Sequence, residues 1–131
     1  MRRALPALAA SIALVGLFAG GLAWLLNDPR PPAGAPRAER LWYARCAECH
    51  GVDGRGSWRA ALFLIRPGDL ADRARMAARS EEYLATVIRN GGAPLGRPGM
   101  PAFGSVLSED DVQALVGYVR GLGAPPGSGR E

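Results

Sequence analysis

The chain has 131 residues and a net charge of +4, and all 16 of its basic residues are arginine. Two of these arginines precede the first apolar stretch, so the remaining 14 face 12 acidic residues. This near balance excludes the dense positive surface that nucleic-acid binding requires. The length allows one domain beside any targeting segment.

The first predicted element is a membrane anchor. Residues 4–26 form a stretch of 23 residues without a charge, behind Arg2 and Arg3. At about 1.5 Å per residue, a helix of this length crosses a hydrocarbon core of about 30 Å. A cleaved signal peptide, with an apolar core of about 7–15 residues, is the alternative. Because Trp24 suits a membrane interface, we predict residues 1–26 as an uncleaved anchor held in the lipid bilayer by residues 4–26.

The charge of the anchor's flanks also predicts its orientation. Arginines before a first apolar segment stay on the cytoplasmic side. We therefore expect a single-pass protein of a bacterial inner membrane, with the rest of the chain on the periplasmic side. Residues 27–37 contain four prolines and are predicted as an extended linker that reaches roughly 34 Å. Residues 124–131 are predicted as a flexible tail, which leaves residues 38–123 for the folded domain.

Four segments of this domain are predicted to be helical, and no strand pattern competes with them. The third begins at an N-cap serine, carries acidic residues in its first turn and ends at a glycine pair; the fourth has an apolar stripe of helical spacing. The intervening stretches 51–68 and 91–107 are long and rich in Gly, Pro and Arg, which indicates loops that wrap a large apolar object. The helical segments are AERLWYARCAECH, residues 69–79, Ser80 to Gly91 and Ser108 to Gly123.

Both cysteines and the only histidine lie within Cys46-Ala47-Glu48-Cys49-His50. A disulfide here would leave the histidine without a role, and a thioredoxin-like redox pair needs an α/β fold. Structural zinc needs four protein ligands, which the chain does not supply. The Cys-x-x-Cys-His spacing fits covalent haem attachment, with two thiols one helical turn apart for two thioether bonds. We therefore predict one haem c attached through Cys46 and Cys49, with His50 as an axial iron ligand, and no zinc.

The second axial ligand follows by elimination. Strong ligands for that position are His, Met or an amine, and the chain has no second histidine and no lysine. Met1 belongs to the anchor segment, and Met76 lies in a predicted helix, where methionine usually packs. Met100 lies in the loop GRPGMPAFG, where prolines fix the backbone and glycines allow close approach. We predict Met100 as the sixth ligand; an incidental surface methionine is the alternative.

Together these features resemble a mono-haem class I c-type cytochrome. The likeness rests on Cys-x-x-Cys-His-Gly, the helix end VIRNGG, the loop GMPAFG and the segment LSEDDVQALVGYVRGL, and it spans about residues 38–122. It implies an all-α fold, the small class I cytochrome c fold of three to five helices around one haem, here with an N-terminal transmembrane helix. The resemblance places the thioethers on Cys46 and Cys49 and the two metal ligands on His50 and Met100.

The resemblance also implies that the first and last helices of the domain cross. Trp42 or Tyr43 would then pack against Gly117 and Tyr118. A proline carbonyl often accepts the proton of the iron-bound histidine in this family, and Pro67 is the nearest match. An orienting partner for a metal-ligating histidine is expected on physical grounds as well.

A haem with His and Met on its two faces has no open position, which suits one-electron transfer. We expect an electron-transfer protein and not an enzyme, acting as a tethered carrier or a fixed subunit between a quinol-oxidising complex and a terminal oxidase or photosynthetic reaction centre. The alternatives are a haem-based ligand sensor, a peroxidase-like protein and a mainly structural subunit of a larger membrane complex. Four arginines could steer an acidic partner; the alternative is that they neutralise haem propionates or are simply solvated. They are Arg55, Arg59, Arg66 and Arg97.

Overall fold

The computed structural model describes residues 4–123, and this part of the chain is helical without strands. The predicted all-α fold with an N-terminal apolar helix is therefore confirmed. The predicted tail, residues 124–131, lies outside the described residues. The elements are α1 (Ala4–Leu26), α2 (Arg37–Arg45), α3 (Ala47–His50), α4 (Trp58–Leu62), α5 (Arg73–Ala77), α6 (Glu81–Asn90), a 3₁₀ helix (Ala93–Leu95) and α7 (Glu109–Gly121).

Helix α1 is long and apolar enough to cross a membrane. Its segment Pro6–Leu26 has a mean hydropathy of 2.0, and none of it is buried against the rest of the chain. A helix of 23 residues is about 34 Å long, slightly more than a hydrocarbon core of about 30 Å. The helix therefore fits a membrane anchor by length and composition, criteria that a signal sequence also meets.

Side chains of serine start the two longest helices of the domain. The Ser80 hydroxyl accepts a hydrogen bond from the Tyr83 amide at 3.1 Å, and the Ser108 hydroxyl accepts one from the Asp111 amide at 3.2 Å. Each bond satisfies a backbone donor that the first helical turn leaves without a partner. Both predicted helix starts are confirmed.

The other segments differ from the prediction in detail. The predicted first helix divides at Cys46, whose φ of −117° departs from helical geometry. The predicted helix over 69–79 forms only as α5, with Asp72 as its N-cap. Helix α4 was not predicted, because its five residues are too few to show a helical pattern of apolar positions.

The core forms where α2 crosses α7. Trp42 of α2 is 1% exposed, and its ring lies 5.6 Å from the ring of Tyr118. Gly117, which was expected to take part in the crossing, is exposed, and a Cβ added there would meet nothing within 4 Å. The buried face of α7 belongs to larger side chains instead. The core cluster comprises Trp42, Ala47, Met76, Leu84, Ala85, Ile88, Val112, Leu115, Val116 and Val119.

An ion pair joins the first turns of α2 and α7. The Arg37 guanidinium donates two hydrogen bonds to the Asp111 carboxylate, at 2.5 and 2.8 Å. The Asp111 side chain is only 8% exposed. The hydrogen bonds from Arg37 are the main reason that the pKa of Asp111 falls to about 2, and Ser108 adds to the effect. The capping serine therefore also fixes the carboxylate that joins the two helices.

Helix α4 ends in a turn with a strained residue. The Leu64 amide donates to the Ala61 carbonyl at 3.1 Å, and the Ile65 amide donates to the Ala60 carbonyl at 2.9 Å. This is the Schellman pattern, whose left-handed position is usually glycine. Leu64 occupies that position with a φ of 58°, at a cost of about 1–2 kcal/mol for a residue with a Cβ.

The predicted linker is bound to the domain over part of its length. The Arg59 guanidinium donates to the carbonyls of Leu25 and Asn27 at 2.6 and 2.7 Å. It also pairs with the Asp28 carboxylate at 2.7 Å. The first residues after α1 therefore lie against α4 and do not extend freely.

The Arg37–Asp111 pair predicts how stability falls in acid. Because the folded pKa of Asp111, about 2, lies below the unfolded value of about 3.9, the pair's contribution is complete above the unfolded pKa. It is lost as the pH falls through the folded pKa. We expect Asp111→Asn to lower the free energy of unfolding at neutral pH and to flatten its dependence on pH between about 4 and 2.

Urea unfolding of the detergent-solubilised protein at a series of pH values, followed by tryptophan fluorescence, measures this effect. Asp110→Asn is the matched control, because it removes one charge from the same helical turn and leaves the Arg37 pair intact. An acid dependence in Asp111→Asn as steep as in the wild type would contradict the assignment.

Candidate functional site

All four predicted site residues line one cavity of about 720 Å³. Its walls come from α2, α3, α5, α6 and α7 and from the loops that precede α5 and α7. The volume lies in the range of about 300–1,000 Å³ that is usual for cofactor pockets. The four residues are Cys46, Cys49, His50 and Met100.

Backbone hydrogen bonds hold the Cys-x-x-Cys-His motif in place. The Cys46 amide donates to the Trp42 carbonyl at 2.8 Å, and the His50 amide donates to the Cys46 carbonyl at 2.9 Å. The chain then folds back, and the Gly56 amide donates to the His50 carbonyl at 2.7 Å. This return requires Gly51, whose φ is 77° and where a Cβ would lie 2.8 Å from the Gly56 oxygen. Backbone hydrogen bonds therefore hold the motif both at its first residue, Cys46, and at its last, His50.

The His50 ring lies between the core and the cavity. Its centroid is 6.0 Å from that of Trp42. Burial lowers the pKa of His50, and an interaction with the Gly68 backbone partly offsets the effect. The Nδ1 atom is buried without a hydrogen bond of good geometry. Pro67, the expected partner of the histidine, and its neighbour Gly68 both line the cavity with His50; the proline as partner stays a prediction.

Both cysteines are free thiols. Burial is the main reason that the pKa of Cys46 rises to about 12, and the neighbouring Cys49 raises it further. Burial also raises the pKa of Cys49, with a smaller contribution from the charge of Glu48. Both sulfurs are therefore uncharged at neutral pH in the folded chain.

The loop that carries Met100 closes on a glycine pair at the end of α6. The Gly92 amide donates to the Met100 carbonyl at 2.9 Å, and the Arg97 amide donates to the Gly92 carbonyl at 2.9 Å. At Gly91 the φ is 72°, and a Cβ would lie 2.8 Å from the Met100 oxygen. At Gly92 a Cβ would overlap the carbonyl oxygen of Arg97. From the sequence, the glycine pair was predicted only to end the helix. Its contact with the Met100 loop was not predicted.

A second methionine also reaches the cavity. Met76 of α5 lines its wall and is 6% exposed within the core cluster. Met100 is less buried and lies outside that cluster. The expectation that Met76 packs in the core is met, but its position beside the cavity was not foreseen from the sequence.

The arginines named from the sequence have different surroundings. Arg66 and Arg97 line the cavity, as do Arg45, Arg75 and Arg79, which the sequence did not single out. Arg55 lies 3.6 Å from the Asp53 carboxylate. Arg59 is bound to the end of α1 and the residues after it and does not line the cavity.

The fold and the cavity together define a c-type cytochrome domain. A helical frame surrounds a large pocket that holds a Cys-x-x-Cys-His motif on one side and a methionine loop on another. A solved structure, the KustC0563 c-type cytochrome, superposes with a TM-score of 0.54 at 33% identity, over 65% of this chain and 95% of that one. The chain belongs to the family described as cytochrome C oxidase, cbb3-type, subunit III, whose model matches residues 33–119.

Three curated proteins extend the comparison. The cbb3-type cytochrome c oxidase subunit FixPc of Rhizobium leguminosarum bv. viciae is 33% identical over 76% of this chain and 31% of its own length. The quinohemoprotein alcohol dehydrogenase of Comamonas testosteroni is 32% identical over 69% of this chain and 11% of its length. Cytochrome c6 of Rippkaea orientalis (strain PCC 8801 / RF-1) is 25% identical over 82% of this chain and 88% of its own length. The chain thus spans about a third or less of the first two relatives.

The residues present fit haem c, the covalently bound cofactor of c-type cytochromes. The cavity is lined mainly by apolar side chains, and two uncharged thiols and a buried histidine lie at one wall. The His50 ring lies beside Trp42 at the same wall, where packing orients it. The predicted class, a mono-haem class I c-type cytochrome, is confirmed.

The close approach of the Arg97 backbone to Gly92 predicts that one added methyl group at this position destabilises the loop. Gly92→Ala should destabilise the folded domain by about 1–3 kcal/mol, because the added carbon overlaps the Arg97 backbone. Hydrogen exchange at the Gly92 and Arg97 amides should accelerate more than exchange in α7. Gly117→Ala is the control: it adds the same methyl group in open space on a helix and should stabilise by about 0.5–1 kcal/mol. Equal exchange rates at the loop amides in Gly92→Ala and the wild type would contradict the role of this close approach.

Proposed function

We propose that the chain transfers single electrons through one haem c, attached by thioethers to Cys46 and Cys49 and ligated by His50 and Met100. The observation that carries the proposal is the convergence of these residues on one cavity. Met100 is far from the motif in sequence, yet it lines the same cavity. Haem supplies a one-electron Fe(III)/Fe(II) couple, and the chain's residues supply its attachment, orientation and surroundings.

The chain's own residues favour electron transfer over chemistry at an open site. Trp42 lies beside the His50 ring and limits its rotation. The closed hydrogen-bond ring from Gly92 to Met100 restricts the methionine loop. Apolar side chains make up most of the cavity wall, and an apolar surround disfavours additional positive charge on a bound group. A packed histidine and a restrained methionine loop at one cavity suit electron transfer without bond rearrangement.

The two methionines at the cavity provide a matched test of the sixth ligand. Met100→Ala should abolish the methionine–iron charge-transfer absorption of the oxidised protein, and Met100→His should lower the reduction potential. Met76→Leu should retain the absorption band and cost less than about 1.5 kcal/mol of stability, since it nearly conserves volume. Absorption spectra and potentiometric titration measure both properties.

The reverse result for the two methionine variants would contradict Met100 as the sixth ligand. Loss of the band in Met76→Leu with retention in Met100→Ala would assign the position to Met76. Attachment is checked separately by the mass of the protein after acidic haem extraction. The haem mass should stay with the wild type and with Cys46→Ser and Cys49→Ser, each held by the remaining thioether, and should be lost only from the double variant. These measurements also address the ligand-sensor alternative, because carbon monoxide should bind the reduced wild type poorly and Met100→Ala readily.

We further propose that α1 anchors the domain in a bacterial inner membrane, with the domain on the periplasmic side. The length and hydropathy of α1 support the anchor, and the arginines before it support the orientation by the positive-inside rule. The domain assignment, with residues 1–26 as anchor, 27–37 as linker, 38–123 as haem domain and 124–131 as tail, belongs to the same proposal. An anchored domain meets membrane partners at a raised effective concentration.

The proposed partner is a membrane terminal oxidase, to which the domain passes electrons that come from a quinol-oxidising complex. Family membership and the similarity to FixPc support an oxidase. The similarity to most of the length of a cytochrome c6 supports a carrier that works as a single domain. A photosynthetic reaction centre as electron acceptor is the less supported destination. In either case the domain is an electron-transfer protein and not itself a catalyst.

Purification from native membranes in mild detergent distinguishes a fixed subunit from a carrier. Co-migration in a fixed ratio with an oxidase through two chromatographic steps is the result expected of a subunit. A chain that elutes alone, yet is oxidised rapidly by added oxidase-containing membranes, is the result expected of a carrier. If the reduced protein is oxidised neither within a co-purified complex nor by added oxidase-containing membranes, the proposed partner is contradicted.

A further inference from the structure

Trp58, Leu62 and Phe63 form an exposed apolar surface, here called the α4 patch. Their exposed fractions are 47%, 67% and 77%. Trp58 and Leu62 are four residues apart and share one face of α4, and Phe63 follows directly. None of the three lines the cavity, so a group bound there does not cover them. Consecutive exposed apolar residues of this size indicate a contact surface.

The turn after α4 maintains this exposure against a local cost. Leu64 adopts the left-handed conformation that glycine would adopt without strain, and its side chain is 87% exposed. The turn directs the next residue, Ile65, towards Gly99 at the cavity. Strained residues that persist point to a functional demand on their position. Here the demand is that apolar side chains stay outside while the chain re-enters the domain.

The α4 patch is continuous with the end of α1. The rings of Trp24 and Trp58 are stacked, with centroids 5.9 Å apart and an interplanar angle of 5°. Beside them, Arg59 binds the carbonyls of Leu25 and Asn27. These carbonyls lie where a helix end leaves backbone acceptors without partners. The start of the patch is therefore fixed at the level at which the apolar helix ends.

This level corresponds to a membrane interface. A helix of 23 residues is about 34 Å long, so its last turn reaches the boundary of a hydrocarbon core of about 30 Å. Tryptophan is enriched at that boundary, and arginine extends from it towards water. Trp24, Trp58 and Arg59 provide such a set from two separate parts of the chain.

We propose that the α4 patch inserts into the interfacial layer of the same bilayer that α1 crosses. This inference rests on the proposed anchoring and adds a second contact between the domain and the lipid. Leu64 adjoins the patch and lines the cavity, so the insertion places one edge of the cavity beside the membrane plane. The haem domain is then held in one orientation on the membrane surface.

Spin labels on the full-length haem-loaded protein in vesicles of phosphatidylcholine and phosphatidylglycerol test the inference. Single cysteines replace Phe63 in the patch, Phe18 within α1 and Val106, which is 60% exposed in the loop before α7. Relaxation by oxygen reports lipid, and relaxation by a water-soluble nickel chelate reports water. The Phe63→Cys label should show an oxygen-to-nickel accessibility ratio several-fold above that of Val106→Cys and closer to that of Phe18→Cys. Leu62→Cys repeats the measurement at a second patch position.

The three labels separate the possible failures. A lipid-exposed Phe18→Cys label with a Phe63→Cys label as wet as Val106→Cys overturns the insertion and leaves the anchor intact. A wet Phe18→Cys label overturns the anchor and the insertion together. A Phe63→Cys label shielded from both relaxants indicates a protein contact and overturns the lipid assignment. A Val106→Cys label as lipid-exposed as Phe63→Cys shows that the contact is not specific to the patch, which also overturns the proposal.

Discussion

The packing of Trp42 is the interaction on which the rest of the domain depends. Its indole contacts the last helix through Tyr118 and the haem-binding motif through His50, and its carbonyl accepts the hydrogen bond that positions Cys46. One buried side chain therefore joins the helix crossing to the cavity wall. A change in the angle between α2 and α7 would move the ligand side chains as well, which couples the stability of the fold to the geometry of the site.

The large cavity explains why so short a domain has such long loops. The core cluster of the described residues has ten members, a small core for a domain of this length. The stretches 51–68 and 91–107 contain the short α4 and a 3₁₀ helix, and each contributes residues to the cavity wall. A bound haem would complete the apolar interior, so cofactor binding and folding stabilise the same state. The glycines of the Met100 loop serve this enclosure by letting backbones approach closely.

The sequence was sufficient for the features that depend on local chemistry. The capping serines Ser80 and Ser108 fixed helix starts that the structure reproduces, because a cap acts within one turn. The shared cavity of the motif and Met100 could be predicted because the chain offers so few alternative ligands. The contact of Arg59 with the end of α1 could not, since it joins residues about 30 positions apart. The contact of the loop with Gly92 was missed for another reason: it depends on the close approach of the Arg97 backbone within the same loop, which no side-chain pattern indicates.

The binding of Arg59 to the end of α1 has a consequence for how the domain moves. While these hydrogen bonds hold, the linker does not act as a free tether, and the domain rotates and translates with the helix that carries it. An anchored helix diffuses only within the plane of its bilayer. Encounters with a redox partner then become a two-dimensional search by a body of nearly constant height and tilt. In such a search, the direction in which the cavity edge faces determines which collisions can be productive.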